Sequence, residues 1–133
     1  MAVHPEYPGL TVQVMVNSKP LPEYQDPNAI DDPKDVTRYI KAQAGTEFEI
    51  VQVFLDGFAG SDDIRTRCYI DGQMMRKPIS TGASRKSVPR QKIAGVKEKK
   101  GNSWYWRPFQ FQKLCASKST YIFHSCQTVA HCF

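Results

Sequence analysis

Apolar and polar side chains alternate along several short stretches of this chain, and no run of ten residues shows the i, i+3, i+4 apolar spacing of a helix. Leu10, Val12, Val14 and Val16 alternate with Thr11, Gln13 and Met15, which predicts a strand with one buried face. Asn17, Ser18, Lys19 and Pro20 end it. Leu21-Pro22-Glu23-Tyr24 then continues extended, because each proline biases the residue before it away from helix. Residues 25–35, QDPNAIDDPKD, read as a solvated loop, and TRYIKA at residues 37–42 as a short strand. In residues 47–55, Phe48, Ile50 and Phe54 share one face with Gln52, while Val51, Val53 and Leu55 share the other. That pattern predicts a central strand whose second half is buried on both sides.

Residues 56–63, DGFAGSDD, are turn formers. Beyond them Ile64, Thr66, Cys68 and Ile70 alternate with Arg65, Arg67, Tyr69 and Asp71, giving a half-exposed strand. Asp71-Gly72 is the dipeptide that type I′ hairpins prefer, since both central residues need positive φ, and Met74-Met75-Arg76 is the expected return strand. Residues 80–101 carry seven cations, one acid, three glycines and few large apolar groups. They read as a long, basic, mobile loop broken by a short extended piece near residues 91–94. Trp104 to Phe111 forms a last, aromatic strand, with Pro108 at an edge position or bulge and Phe109 and Phe111 on one face. The expected fold is all-β, an antiparallel sandwich or partly open barrel with a long basic loop and little helix.

A length of 133 residues fits one core. The composition, 41% hydrophobic and 23% charged, is that of an ordinary globular protein and excludes collagen-like and wholly disordered classes. The net charge of +5 hides an asymmetry. Residues 1–63 hold 11 acidic and 4 basic side chains, and residues 64–133 hold 2 acidic and 14 basic ones. Halves of opposite sign either attract within the fold or offer a basic surface to an anionic partner. The first ten residues lack the apolar core of a secretory signal, and no stretch approaches the roughly 18 apolar residues of a membrane span. The expectation is an intracellular protein, cytoplasmic or nuclear, with no membrane partner and with Cys68, Cys115, Cys126 and Cys132 as thiols.

Four segments carry a family resemblance: GLTVQVMVNSKPLPEY at residues 9–24, TRYIKA followed by GTEFEI, RCYIDGQ, and FQFQKL. Together they resemble a family of fungal proteins whose shared domain has no assigned function, and the V-N-x-x-P-L-x-E-Y opening is the most specific piece. The resemblance covers residues 3–116. It implies a β-rich domain with Val12, Val14, Phe48, Ile50, Tyr69 and Phe111 in structural roles, and it supplies no catalytic residue. Residues 117–133 depart from the pattern, being apolar, cysteine-rich and nearly uncharged where a charged continuation is expected. They read either as an extra strand over residues 120–124 on a sheet edge, or as a loose tail not selected to be protein.

Candidate chemistry is sparse. His124, Cys126, His131 and Cys132, with Cys115, are soft ligands, but no C-x2-C or H-x3-H pair spaces them for zinc. Asp26, Asn28, Asp31, Asp32 and Asp35 lack the glycine at the sixth position and glutamate at the twelfth that a calcium loop requires. His4, His124 and His131 lie near the termini, no G-x-S-x-G turn exists, and Asp62 and Asp63 are neighbours in a turn, where they diverge. The chain is therefore not expected to be an enzyme or to hold a cofactor. The strongest signal is cationic: Arg85, Lys86, Arg90, Lys92, Lys97, Lys99 and Lys100 lead into Trp104, Tyr105 and Trp106. Cations attract phosphates and exposed aromatic faces stack bases, so these residues are candidates for binding single-stranded nucleic acid. Against this, alternating aromatics at strand spacing are more often packed than displayed. The primary expectation is a non-catalytic domain that binds a protein partner through the basic segment or an open edge, with nucleic acid as the alternative.

Overall fold

A computed structural model describes residues 2–4, 7–28 and 35–113. The strands in chain order are β1 (Ala2–His4), β2 (Tyr7–Val16), β3 (Lys19–Pro20), β4 (Glu23–Tyr24), β5 (Tyr39–Ile40), β6 (Glu47–Phe54), β7 (Ile64–Arg65), β8 (Cys68–Ile70), β9 (Gln73–Arg76) and β10 (Ile79–Ser80). A short helix α1 (Gly82–Ser87) follows, and then β11 (Arg90–Ile93), β12 (Gly95–Lys100) and β13 (Ser103–Gln110). The fold is all-β, and its antiparallel sheets do not close into a barrel.

The main sheet runs in the order β1-β2-β6-β13-β12, with β3 added to β2 and β11 to β6. As its apolar pattern predicts, β6 is central. It pairs with β2 on one side, Val14 opposite Ile50, and on the other side is shared end to end by β11 and β13. Its middle is buried on both faces, with Ile50 and Gln52 at 1% exposure on one and Val51 at 0% on the other, whereas Leu55 just beyond it is exposed. In β2 both faces are covered rather than one, because Thr11 and Met15 are buried as well as Leu10.

One face of the sheet holds the core. Phe48, Ile50, Ile93 and Phe109 pack with Cys68, and Val12, Val14, Val16, Ile70, Met75, Val96 and Phe111 border them. The Phe48 ring stacks on Phe111 at 4.3 Å and on Phe109 at 5.6 Å, so the aromatic end of β13 is clamped to β6. A second cluster, Leu10, Phe54 and Ile64, lies under Phe58. Between the clusters the buried Thr66 hydroxyl donates to Gln52 Oε1 at 3.2 Å, and the Ser80 hydroxyl donates to Gln91 Oε1 at 2.8 Å. These bonds satisfy polar groups that would each cost about 1–3 kcal/mol if left buried alone.

The Asp71-Gly72 hairpin forms as expected: φ is +50° and +74°, and Ile70 stands opposite Gln73. Asn17 and Ser18, at φ +50° and +62°, make a similar two-residue turn between β2 and β3. The reading of residues 80–101 as a long loop is corrected, since α1, β11 and β12 occupy most of it. Thr81 caps α1, its hydroxyl accepting from the Ser84 N–H at 3.1 Å. The cationic strands gain their order from β6 and β13 rather than from a pattern of their own. The tail 117–133, its strand at 120–124, the cysteine and histidine set within it, and Asp31 and Asp32 lie outside the described residues.

Candidate binding hairpin

Where β11 ends, the chain turns away from β6. Ala94 lies at the departure point, and its carbonyl accepts from the Phe109 N–H at 2.9 Å. From Gly95 onward β12 pairs only with β13, in six rows from Gly95 opposite Pro108 to Lys100 opposite Ser103. Gly101 and Asn102 close the ribbon, with Gly101 at φ +61°, the conformation that the first central position of a type II′ turn requires. β13 rejoins β6 only at Phe109 and Gln110. Pro108 immediately precedes that junction, where a residue without an N–H removes no bond to β6.

The strand alternation sorts the ribbon into two faces. Phe109 and Val96 belong to the core face, and Arg107, Tyr105 and Glu98 continue it outward, with Arg107 Nη2 and Glu98 Oε1 2.7 Å apart. On the opposite face Lys97 stands across from Trp106, and Lys99 across from Trp104. Trp104 is 67% exposed, Trp106 53% and Tyr105 54%. The packed reading of these aromatics does not hold: the ribbon leaves the sheet before reaching them, and no described element covers its distal half. Gly95 seats Trp106. A Cβ there would lie 2.8 Å from Trp106 Cζ2 and would run into the Arg107 carbonyl, so only a bare backbone lets the indole lie across the strand.

The other cations divide. Arg90 and Lys92 alternate with Gln91 and the core residue Ile93, which puts them on the tryptophan side of the sheet. Lys92 donates to Glu49 at 2.9 Å. Lys86 is exposed on α1. Arg85 departs from the nucleic-acid reading altogether, being 7% exposed. Its guanidinium donates to the carbonyls of Ser80 (2.6 Å), Asp62 (2.5 Å) and Gly60 (3.3 Å) and lies 5.9 Å from the Phe54 ring centroid. It is a structural tie between α1 and the turn before β7. Among the described residues ion pairs engage Lys92 and Arg107, and none engages Lys97, Lys99 or Lys100.

Sequence reasoning missed Tyr105 and Arg107 as a second displayed face, and it missed Gly95. The Gly101-Asn102 pair between two runs was the available signal for the ribbon.

A shallow cavity of about 300 Å³ borders the root of the ribbon, lined by Phe48, Ile70, Met75, Arg107 and Phe109 among others. Among the described residues no three His, Cys, Asp or Glu side chains gather as a metal site would need. No described helix is long and apolar enough to cross a membrane.

The family described as Domain of unknown function (DUF7918) matches residues 9–128, nearly the whole chain, and the match runs past residue 116 into the segment set apart above. This protein belongs to that family. No curated protein and no solved structure matches it.

Proposed function

We propose that this chain is a non-catalytic binding domain and that the β12–β13 hairpin is its contact surface. One observation carries the reading: three large aromatic side chains, Trp104, Tyr105 and Trp106, stand more than half exposed on a ribbon that no described element covers. Exposing that much apolar surface forfeits roughly 25 cal/mol per Å² that burial would return, and contiguous exposed apolar patches mark interaction sites. Tryptophan and tyrosine are also the side chains that dominate binding energy where they are buried by a partner. A ribbon rooted by the Phe48 stack and the Ala94–Phe109 bond presents them with little entropy left to lose on association.

The test places a photo-crosslinking amino acid at Lys99 or at Tyr105, with Leu55, equally exposed beyond the end of β6, as the control position. Crosslinking in a cell extract is expected to give discrete adducts from the two hairpin positions and few from position 55. Equal labelling from all three, or none from the hairpin, contradicts the reading. Nuclease and protease digestion of the adducts then reports the class of partner.

A further inference from the structure

We infer that the tryptophan face of the hairpin binds single-stranded nucleic acid, with Trp104 and Trp106 stacking bases and Lys97 and Lys99 contacting phosphates. This deepens the hairpin reading and rests on it. Three observations choose this partner over an acidic protein.

The first is arrangement. Lys97 and Lys99 stand directly across from Trp106 and Trp104, so every stacking surface has a cation beside it. Residues two apart on a strand are about 6.8 Å apart. That spacing gives two neighbouring stacking surfaces on one face rather than a single platform. The second is charge. Lys97 and Lys99 have no acid partner among the described residues, and the one acid of the ribbon, Glu98, lies on the opposite face with Lys100, paired to Arg107. Phosphates approaching the tryptophan face meet no carboxylate of the hairpin. The third is continuity. Arg90 and Lys92, the latter paired to Glu49, lie on the same side along β11, so the cations continue from the ribbon onto the sheet. A track beside aromatic platforms follows a sugar-phosphate backbone without reading its sequence, because every base offers a π-face. A duplex hides those faces, which restricts the surface to single strands.

Trp104 and Trp106 are the two tryptophans of the chain, so tryptophan fluorescence, excited selectively over the tyrosines, reports from this face alone. The full chain is titrated with ten-nucleotide oligo-dT and oligo-rU at low salt. Saturable quenching is expected with at least one of them, and the two arms separate a DNA from an RNA preference. Fluorescein-labelled oligonucleotide then reports on variants by anisotropy. Trp104→Leu or Trp106→Leu should weaken binding roughly 5- to 150-fold. Lys97→Gln and Lys99→Gln together should lower the slope of log K against log salt by about 1.4, at about 0.7 per phosphate contact on a single strand.

Absence of quenching at low salt, unchanged affinity in the tryptophan variants, or equally tight binding of a poly-glutamate peptide would each overturn the inference. The circular dichroism of each variant must match the parent, and Leu55→Ala, exposed but outside the ribbon, is the control expected to bind as the parent does. If oligonucleotides fail while the hairpin crosslinks yield protein adducts, this inference falls and the hairpin reading stands. If the hairpin positions yield no adducts at all, both fall.

Discussion

Arg85→Ala separates a structural cation from a ligand-binding one. The guanidinium makes two short charge-assisted bonds, to Ser80 and Asp62, and a longer one to Gly60. Its Nε is buried without a partner, which offsets part of that gain. A bond to a charged donor contributes about 1.5–3 kcal/mol, and a carbonyl left buried costs about 1–3 kcal/mol. Since the bonds share one donor group they do not add, and a net loss of about 3 kcal/mol is expected. At a urea m-value of about 1.5–2 kcal/mol/M, the unfolding midpoint should fall by roughly 1.5–2 M. Arg85→Lys keeps the charge but cannot span three carbonyls, so about half of that loss should remain. The assay is urea unfolding followed by far-UV circular dichroism, with oligonucleotide anisotropy measured on the folded variant. An unchanged midpoint together with weakened oligonucleotide binding would refute the assignment of Arg85 as a tie.

Four further substitutions test other joints of the fold. Gly95→Ala drives a methyl group into the Arg107 backbone and the Trp106 ring, so it should cost about 1–3 kcal/mol and speed hydrogen exchange in β12 and β13 before the rest of the sheet. Gly72→Ala, at φ +74°, should cost about 1–2 kcal/mol in thermal unfolding without altering oligonucleotide binding. For the buried Thr66–Gln52 bond, Gln52→Leu and Thr66→Val should each cost about 1–3 kcal/mol, and the double substitution less than their sum. An additive double-mutant cycle would show that the two groups do not depend on each other.

The sequence exposed those parts of the fold that local rules specify. Alternation located β2 and β6, and Asp-Gly located the β8–β9 turn, because positive φ at two successive positions leaves a strong residue preference. The β2–β3 turn has the same geometry but was only punctuation in the sequence, since Asn-Ser lacks the glycine that makes the signal strong. Residues 90–100 gave only a short extended piece near residues 91–94, where β11 forms, because RQKIAGVKEKK has little alternation or β-branched density. Their conformation comes from β6 and β13, which are distant in sequence. Helix α1, at six residues, is too short to show a period. For the candidate site the cations and tryptophans were visible, but their fates were not. Arg85 is chemically identical to the cations around it, and its burial follows from the turn at residues 57–62 folding onto α1. Trp104 and Trp106 alternate as core aromatics do, and only the departure of the ribbon at Ala94 leaves them outside.

The central claim is that these indoles face solvent while the aromatic strand's far end, Phe109 and Phe111, is locked on Phe48. Acrylamide quenching of tryptophan fluorescence in the folded protein and in urea measures it without knowledge of any ligand. Solvent-like emission and quenching nearly as efficient in the native state as in the unfolded chain are the expected result. Blue-shifted native emission that acrylamide reaches poorly would put the tryptophans in the interior and remove the binding surface.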